Sequence, residues 1–291
     1  MRTVHSFCRI CQATCGLLIE VDGDQVLKVS GDPDHALSRG YTCSKGRSLG
    51  RMHHDPERLE EPLLRGEQAT WDAVMGDLAA RLRRILDEHG PDAIACYRST
   101  GWILDSAGRT VADRWMRAVG TRQLYSPNTI DTPNRMLVPD LITGSAFLQS
   151  IADWERAELL VIVGHNIVVS HGHVTSVADP VRRIREVQER GGSVLVVDPR
   201  RTETAQLADL HLQPAAGTDA ALMACFVRHR LAHRCDHEYL AACADPASVD
   251  ALRAAVEPFD PASVAERCRI EPAPLETALE LLGSVDRLVY A

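Results

Sequence analysis

Four cysteines near the N-terminus carry the sharpest chemical signal in this 291-residue chain: Cys8, Cys11, Cys15 and Cys43. Two residues separate the first pair, three the second, and 27 lie between Cys15 and Cys43. Thiolates bind iron and zinc. A [4Fe–4S] cube needs four of them around one compact object. Three close cysteines can wrap one side of such a cube, and a distant fourth can close the other. Structural zinc more often takes two separate Cys-x-x-Cys pairs, and Cys43 has no close companion. The spacing therefore points to an iron–sulfur cluster, with a zinc knuckle as the alternative.

A second group of candidate residues follows two apolar runs. Leu159 to Val163 reads as a strand covered on both faces, and Gly164, His165 and Asn166 follow it. A glycine at the carboxyl end of a parallel strand lets backbone amides approach a phosphate, and Asn166 and His171 can donate hydrogen bonds to it. Equally, His171 could be a structural histidine. The next apolar run, Ser193 to Val197, ends in Asp198-Pro199-Arg200. A carboxylate there suits a nucleoside's hydroxyls or a guanine edge, and Arg200 suits a phosphate. The alternative is an aspartate that caps a helix beside a surface arginine. Gly217-Thr218-Asp219 then opens a helix, where Thr218 or Asp219 could cap.

The elements that must position these residues fall into two styles. Over roughly the first 60 residues the sequence predicts short strands and turns, including a hairpin around Asp22-Gly23-Asp24. From Trp71 onward helices and strands alternate, as in a doubly wound parallel sheet. Helices are predicted from Trp71 to a stop at Gly90-Pro91, from Ser106 to Gly120, over Asp179 to Gln188, and over Asp219 to Ala232. Ala93 to Tyr97 reads as a buried strand, and Leu288 to Ala291 begins another where the sequence ends. The expected fold is α/β: a small β-rich iron–sulfur domain over residues 1–60, then a Rossmann-like domain over 61–291 that looks truncated.

Composition narrows the function classes. A net charge of −8 and 4% aromatic residues argue against nucleic acid as a partner. No apolar run reaches the roughly 20 residues that span a bilayer. The first residues show neither a leader nor a twin-arginine pair, so the expected compartment is the cytoplasm, where clustered cysteines are metal ligands before they are disulfides. Cys96, Cys225, Cys235, Cys243 and Cys268 lack ligand spacing and read as small hydrophobes, and His229, His233 and His237 read as a solvated helix face.

Cys8-Arg-Ile-Cys11-Gln-Ala-Thr-Cys15-Gly16, Gly31-Asp32-Pro33, Ser38-Arg39-Gly40 and Cys43-Ser44-Lys45-Gly46 together resemble the molybdopterin oxidoreductase family, which includes formate dehydrogenases and nitrate reductases. The resemblance runs over essentially the whole chain and is most specific in its first 50 residues. It implies a [4Fe–4S] cluster, molybdopterin guanine dinucleotide, and molybdenum or tungsten. Lys45 would relay electrons between cluster and pterin. Gly164, Asn166, Ser170 and His171 would meet the pterin and phosphate region, and Asp198, Arg200, Gly217 and Asp219 the guanosine end. The family's usual proline after the asparagine is Ile167 here, so a differently built turn is expected.

The protein ligand to the metal would fall within 126–135, which holds no cysteine. Asp131 is the candidate hard oxygen donor; Thr129, Thr132 or no protein ligand are the alternatives, and Asp131 could instead cap a helix at Thr132-Pro133. The implied activity is two-electron redox chemistry on a small-molecule substrate, with electrons passing to an external carrier or redox subunit. A chain that resembles the large subunit of NADH dehydrogenase, conducting electrons without molybdenum, is the alternative, as is an inactive fragment. The family's second dinucleotide site lies partly in a C-terminal domain, so a missing domain or a partner chain would complete the site.

Overall fold

A computed structural model describes residues 1–99, 101–102, 105–127, 130–131, 133–146, 148, 151–172 and 177–291. By contacts the chain groups into two compact units. One joins Met1–Gly50 to Ile151–Ala291, and the other is Arg51–Ser150.

The chain opens with a three-stranded antiparallel sheet, β1 (Arg2–Phe7), β2 (Gly16–Asp22) and β3 (Gln25–Gly31). The expected hairpin joins β2 to β3, and Gly23 turns it with φ +56°. The first strand carried no sequence signal. All six of its residues are exposed, so burial imposes no apolar alternation on them. It exists because its backbone pairs with β2 from Arg2 opposite Val21 to Phe7 opposite Gly16. Two short helices follow, α1 (Ser44–Arg47) and α2 (Leu49–His53).

The second unit contains a two-stranded ribbon, β4 (Leu63–Leu64) and β5 (Glu67–Gln68), then α3 (Trp71–His89). The helix runs from Trp71 and ends at Gly90, as the sequence predicts, and Thr70 caps it by accepting from the Ala73 amide. The chain continues through β6 (Cys96–Tyr97), α4 (Ser106–Val119), β7 (Leu124–Tyr125) and α5 (Pro133–Thr143). The strand expected over Ala93 to Tyr97 is two residues long, and Tyr97 is exposed. It pairs in parallel only with β7, which is too small to cover the helices. The apolar residues of α3 consequently bury nothing fully: Trp71, Met75 and Leu78 are exposed, and Leu78, Leu82, Val111 and Trp115 line an open apolar cleft of about 640 Å³.

The third stretch builds the main sheet. Its strands are β8 (Leu159–Val163), β9 (Ser193–Val197), β10 (Leu210–Leu212) and β11 (Leu288–Tyr290), with α6 (Ile167–Ser170) and α7 (Pro180–Glu189) between β8 and β9. Between β10 and β11 run α8 (Asp219–His233), α9 (His237–Cys243), α10 (Pro246–Val256), α11 (Pro261–Cys268) and α12 (Pro272–Ser284). The order is β10-β9-β8-β11, and every pairing is parallel.

Both faces of this sheet are covered, which is why its strands are continuously apolar. Leu159, Val161, Leu195 and Val197 pack on one face with Leu222, Phe226, Leu275 and Leu282 of α8 and α12. Leu160, Ile162, Val194 and Val196 pack on the other with Ile184 and Val187 of α7. The chain leaves β8 for β9 on one side and returns from the far edge to β11 on the other. The topological switch point therefore lies between β8 and β11, and ligands bind such sheets outside the carboxyl ends of the strands there.

Among the described residues no helix is long and apolar enough to cross a membrane.

Candidate cofactor site

The loop from β1 to β2 carries three of the four cysteines. The Cys8 amide donates to the Cys15 carbonyl at 2.8 Å, which closes the loop, and the Thr14 amide turns back on the Cys11 carbonyl. Thr14 takes φ +42°, a left-handed conformation that lets the chain double back between Cys11 and Cys15. Cys8 and Cys15 are buried; Cys11 is half-buried.

The fourth cysteine arrives through the turns that follow β3. The Gly16 amide donates to Ser38 Oγ at 3.0 Å, and the Asp32 amide donates back to the Gly16 carbonyl. The Gly40 amide bonds the Asp32 carbonyl at 2.8 Å. Asp32, of Gly31-Asp32-Pro33, is buried; its carboxylate accepts from the Asp34 amide and meets His5 Nδ1, each at 3.0 Å. The His5 contact, and then the amide, hold it below the usual carboxylate range. The motif is thus a post around which the loop turns toward Cys43, which sits extended immediately before α1.

These cysteines are structural neighbours as well. Cys8, Cys15, Ala13, Leu17 and Val29 form the small core under the sheet, with Cys11 and Tyr41 packed against it. Burial first, then the adjoining Cys11, Cys8 and Cys43, push the Cys15 thiol up to about 11. Burial likewise raises Cys8. Two such thiols give up their protons when a cation takes the place of the proton. Among the described residues no group of three His, Cys, Asp or Glu side chains is placed to hold a metal ion. Cys8, Cys11 and Cys15 stand in or against the small core, and Cys43 is near enough to raise the Cys8 and Cys15 thiols. Four thiols are the donor set of an iron–sulfur cube.

The segment after the cysteine loop is tied to the loop after β8. Lys45 Nζ donates to the Val169 carbonyl at 3.4 Å. Tyr41 Oη lies 2.7 Å from His171 Nε2, and His171 Nδ1 lies 3.2 Å from the same Val169 carbonyl. A carbonyl only accepts, so Nδ1 carries the proton, and in the neutral ring Nε2 accepts from the tyrosine. Burial lowers the His171 pKa and pushes Tyr41 up to about 12, which keeps both groups uncharged at neutral pH. Both His171 nitrogens are thus engaged within the protein, and the ring could reach a phosphate only by giving up a partner.

The carboxyl edge of the sheet holds the other sequence-predicted residues. Gly164 takes φ +60°, where an L side chain is strained, and its amide donates to the Val197 carbonyl. Asn166 clips two loops together: Nδ2 donates to Glu203 at 2.7 Å, while Oδ1 accepts from the Thr204 hydroxyl at 2.9 Å. Ser170 Oγ faces His165 Nε2 and accepts from the Gly172 amide. Asp198 is buried; its Oδ1 accepts from the Arg200 amide at 2.8 Å, and its carbonyl from His211. No described residue bonds its Oδ2, which leaves an acceptor for a ligand. Gly217 takes φ +82° just before α8, whose first residue, the exposed Asp219, stands with the free amides of that helix end.

Asp131 lies in the other unit. It is exposed, its amide bonds the Pro127 carbonyl, and α5 starts two residues on at Pro133. Thr129 and Thr132 lie outside the described residues. Of the remaining cysteines, Cys225 and Cys268 are buried as expected, but Cys96 and Cys235 are half-buried and Cys243 is exposed. Sequence reasoning missed Tyr41, Glu203 and Thr204. Each finds its partner at least 36 residues away, so no local spacing announces it.

Comparison with known proteins matches the geometry. Residues 1–55 match the model for the molybdopterin oxidoreductase Fe4S4 domain, and residues 58–232 match the model for molybdopterin oxidoreductases. The periplasmic nitrate reductase of Desulfovibrio desulfuricans is 29% identical over 92% of this chain and 37% of its own length. A formate dehydrogenase alpha subunit of Methanocaldococcus jannaschii is 24% identical over 98% of this chain and 41% of its own. The solved structure of acetylene hydratase from Pelobacter acetylenicus superposes with a TM-score of 0.78 at 21% identity, covering 99% of this chain and 40% of that one. This chain therefore spans about two fifths of the length of these relatives. It belongs to the molybdopterin oxidoreductase family, whose members carry a [4Fe–4S] cluster and molybdopterin guanine dinucleotide with molybdenum or tungsten.

Proposed function

We propose that the chain is the part of a two-electron oxidoreductase that receives electrons from a molybdopterin-bound metal and passes them through a [4Fe–4S] cluster to an external carrier or redox subunit. Cys8, Cys11, Cys15 and Cys43 hold the cluster. Gly164, Asn166 and Ser170 shape the edge where the pterin and its phosphates lie, and His171 braces that edge from behind. Asp198, Arg200, Gly217 and Asp219 meet the guanosine end. Asp131 is the candidate oxygen donor to the metal. When bound, molybdenum or tungsten supplies the redox chemistry on a small-molecule substrate; the chain's own residues position the cofactors and set their surroundings. Nine unpaired cysteines suit the reducing cytoplasm, which is the proposed compartment.

One observation carries this reading. Lys45, two residues past Cys43, donates to the Val169 carbonyl beside the switch point of the sheet, which supports a relay between the cluster and the dinucleotide. A cation there stabilises the electron-rich forms on both sides. Lys45→Met should lower the cluster's midpoint potential while leaving its iron content unchanged, as a spectroelectrochemical titration would show.

Asp198 offers a sharper test of the nucleotide end. A carboxylate accepting from a guanine edge or ribose is worth about 1.5–3 kcal/mol, so Asp198→Ala should cut guanine nucleotide retained per chain roughly tenfold or more. The overall reading is tested on protein made anaerobically with molybdate supplied. Molybdenum and guanine nucleotide are measured together after acid extraction. Both present, with one or two guanine nucleotides per molybdenum, supports the proposal; iron without either favours the electron-conducting subunit.

A further inference from the structure

Thr42 immediately precedes Cys43, and the residue is 5% exposed. Among the described residues, Thr42 Oγ1 is the one buried side-chain polar atom without a hydrogen-bond partner. A buried unpaired hydroxyl costs about 1–3 kcal/mol, so its presence asks for a reason. Its neighbours supply one. A Cβ built on Gly46 would lie 2.2 Å from Thr42 Oγ1 and 3.6 Å from Cys8 Sγ. Hydroxyl and thiol sulfur are therefore no further apart than those two lengths laid end to end. The same contact explains Gly46: any side chain there would displace the hydroxyl. The threonine backbone is fixed as well, since Arg47 Nη1 donates to its carbonyl.

We propose that the Thr42 hydroxyl donates to sulfur of the bound cluster beside Cys8, and that this bond raises the cluster's reduction potential. The inference rests on the four-cysteine reading of the cradle and deepens it. Hydrogen bonds to cluster sulfurs are one of the main levers on these potentials. When one electron enters the cluster, no bond breaks and the proton stays on the threonine oxygen. The added negative charge spreads over the sulfurs, and a donor aimed at one of them favours that reduced state. A buried threonine could otherwise be a mere valine substitute, filling space with its methyl group. These readings differ in what Thr42→Val does.

The test uses the full chain, reconstituted anaerobically with iron and sulfide, as parent, Thr42→Val, Thr42→Ala and Thr42→Ser. Iron is counted for each. The midpoint potential is then read by titration followed by electron paramagnetic resonance. The expected result is a lower potential in Thr42→Val and Thr42→Ala, and a potential near the parent's in Thr42→Ser. In deuterated buffer, pulsed resonance should show a hydroxyl deuteron coupled to the reduced cluster, beside the exchanged backbone amides, in the parent and Thr42→Ser, with that coupling missing from Thr42→Ala. Equal potentials across loaded variants would overturn the proposal, as would a deuteron spectrum unchanged in Thr42→Ala. A parent chain that takes up no iron would sink the cysteine reading itself, an outcome separate from a fully loaded parent with unmoved potentials.

Discussion

Cys15→Ser should reduce bound iron from about four atoms per chain to fewer than one after anaerobic reconstitution. The residue is 6% exposed and sits in the small core beneath the N-terminal sheet. Its thiol is pushed up to about 11 by burial and by its fellow cysteines, so the energy that deprotonates it must come from iron. A serine hydroxyl is a far weaker acid and a harder donor, and buried among apolar neighbours it would keep its proton. The loss also reaches the fold. Two buried cysteines make up much of a core whose other fully buried members, among the described residues, are Ala13, Leu17 and Val29. A sheet this small is expected to gain stability from a bound cluster. Cys225→Ser is the control. That cysteine is 1% exposed within α8 and belongs with Phe226 and Leu222 to the core of the other sheet, separate from the small core of the cradle. Its replacement should cost about 1–3 kcal/mol of stability and leave the iron count at about four. Iron and acid-labile sulfide assays on both variants, with thermal melts, check the pair.

Gly31→Ala should destabilise the cluster-binding segment by about 3 kcal/mol or more, at the upper end of what overpacking costs. A methyl group on Gly31 would lie 2.0 Å from the Gly40 carbonyl oxygen. No rotamer relieves that clash, because both partners are backbone. The Gly40 amide is itself bonded to the Asp32 carbonyl, so relief means opening the turn that carries the chain to Cys43. The fourth ligand would then be displaced along with the stability. Gly23→Ala is a useful contrast: its added methyl meets nothing, and only the left-handed φ of +56° opposes it, so about 1 kcal/mol is expected. Thermal unfolding and iron uptake of the two variants compared side by side would show whether steric closure at Gly31 matters as argued.

Much of this was legible in the sequence because local chemistry dictated it. The cysteine spacing, the Asp-Gly hairpin, the stop of α3 at Gly90, and the continuous apolar runs of β8 and β9 each follow from residues close together in the chain. The two-sided core explains why those runs lack alternation, and Leu159 and Leu160 facing opposite layers is its direct expression. Illegible features depend on distant partners. β1 is exposed throughout and exists by pairing alone. The strand expected at 93–97 shrank to Cys96–Tyr97 because its apolar residues found only a two-residue neighbour.

At the site, the sequence pointed to His171 as a candidate donor to phosphate. The neutral ring instead bridges Tyr41 and the Val169 carbonyl. Nothing near His171 in sequence could have revealed a tyrosine 130 residues away. Asn166 likewise looked like a ligand contact and also serves as a clip between the loops after β8 and β9. A residue that builds the edge and a residue that touches the ligand have the same sequence signature. Asp198 differs, because one of its carboxylate oxygens is committed to the Arg200 amide while the other bonds no described residue.

The most direct test of the central claim, that four cysteines spread over 36 residues converge on one iron–sulfur cube, is a count of metal and sulfide on the anaerobically purified chain. The expected result is about four irons and about four sulfides per chain, with a resonance on one-electron reduction typical of a single cluster. One zinc per chain without sulfide, or a colourless protein that stays so after reconstitution, would contradict it.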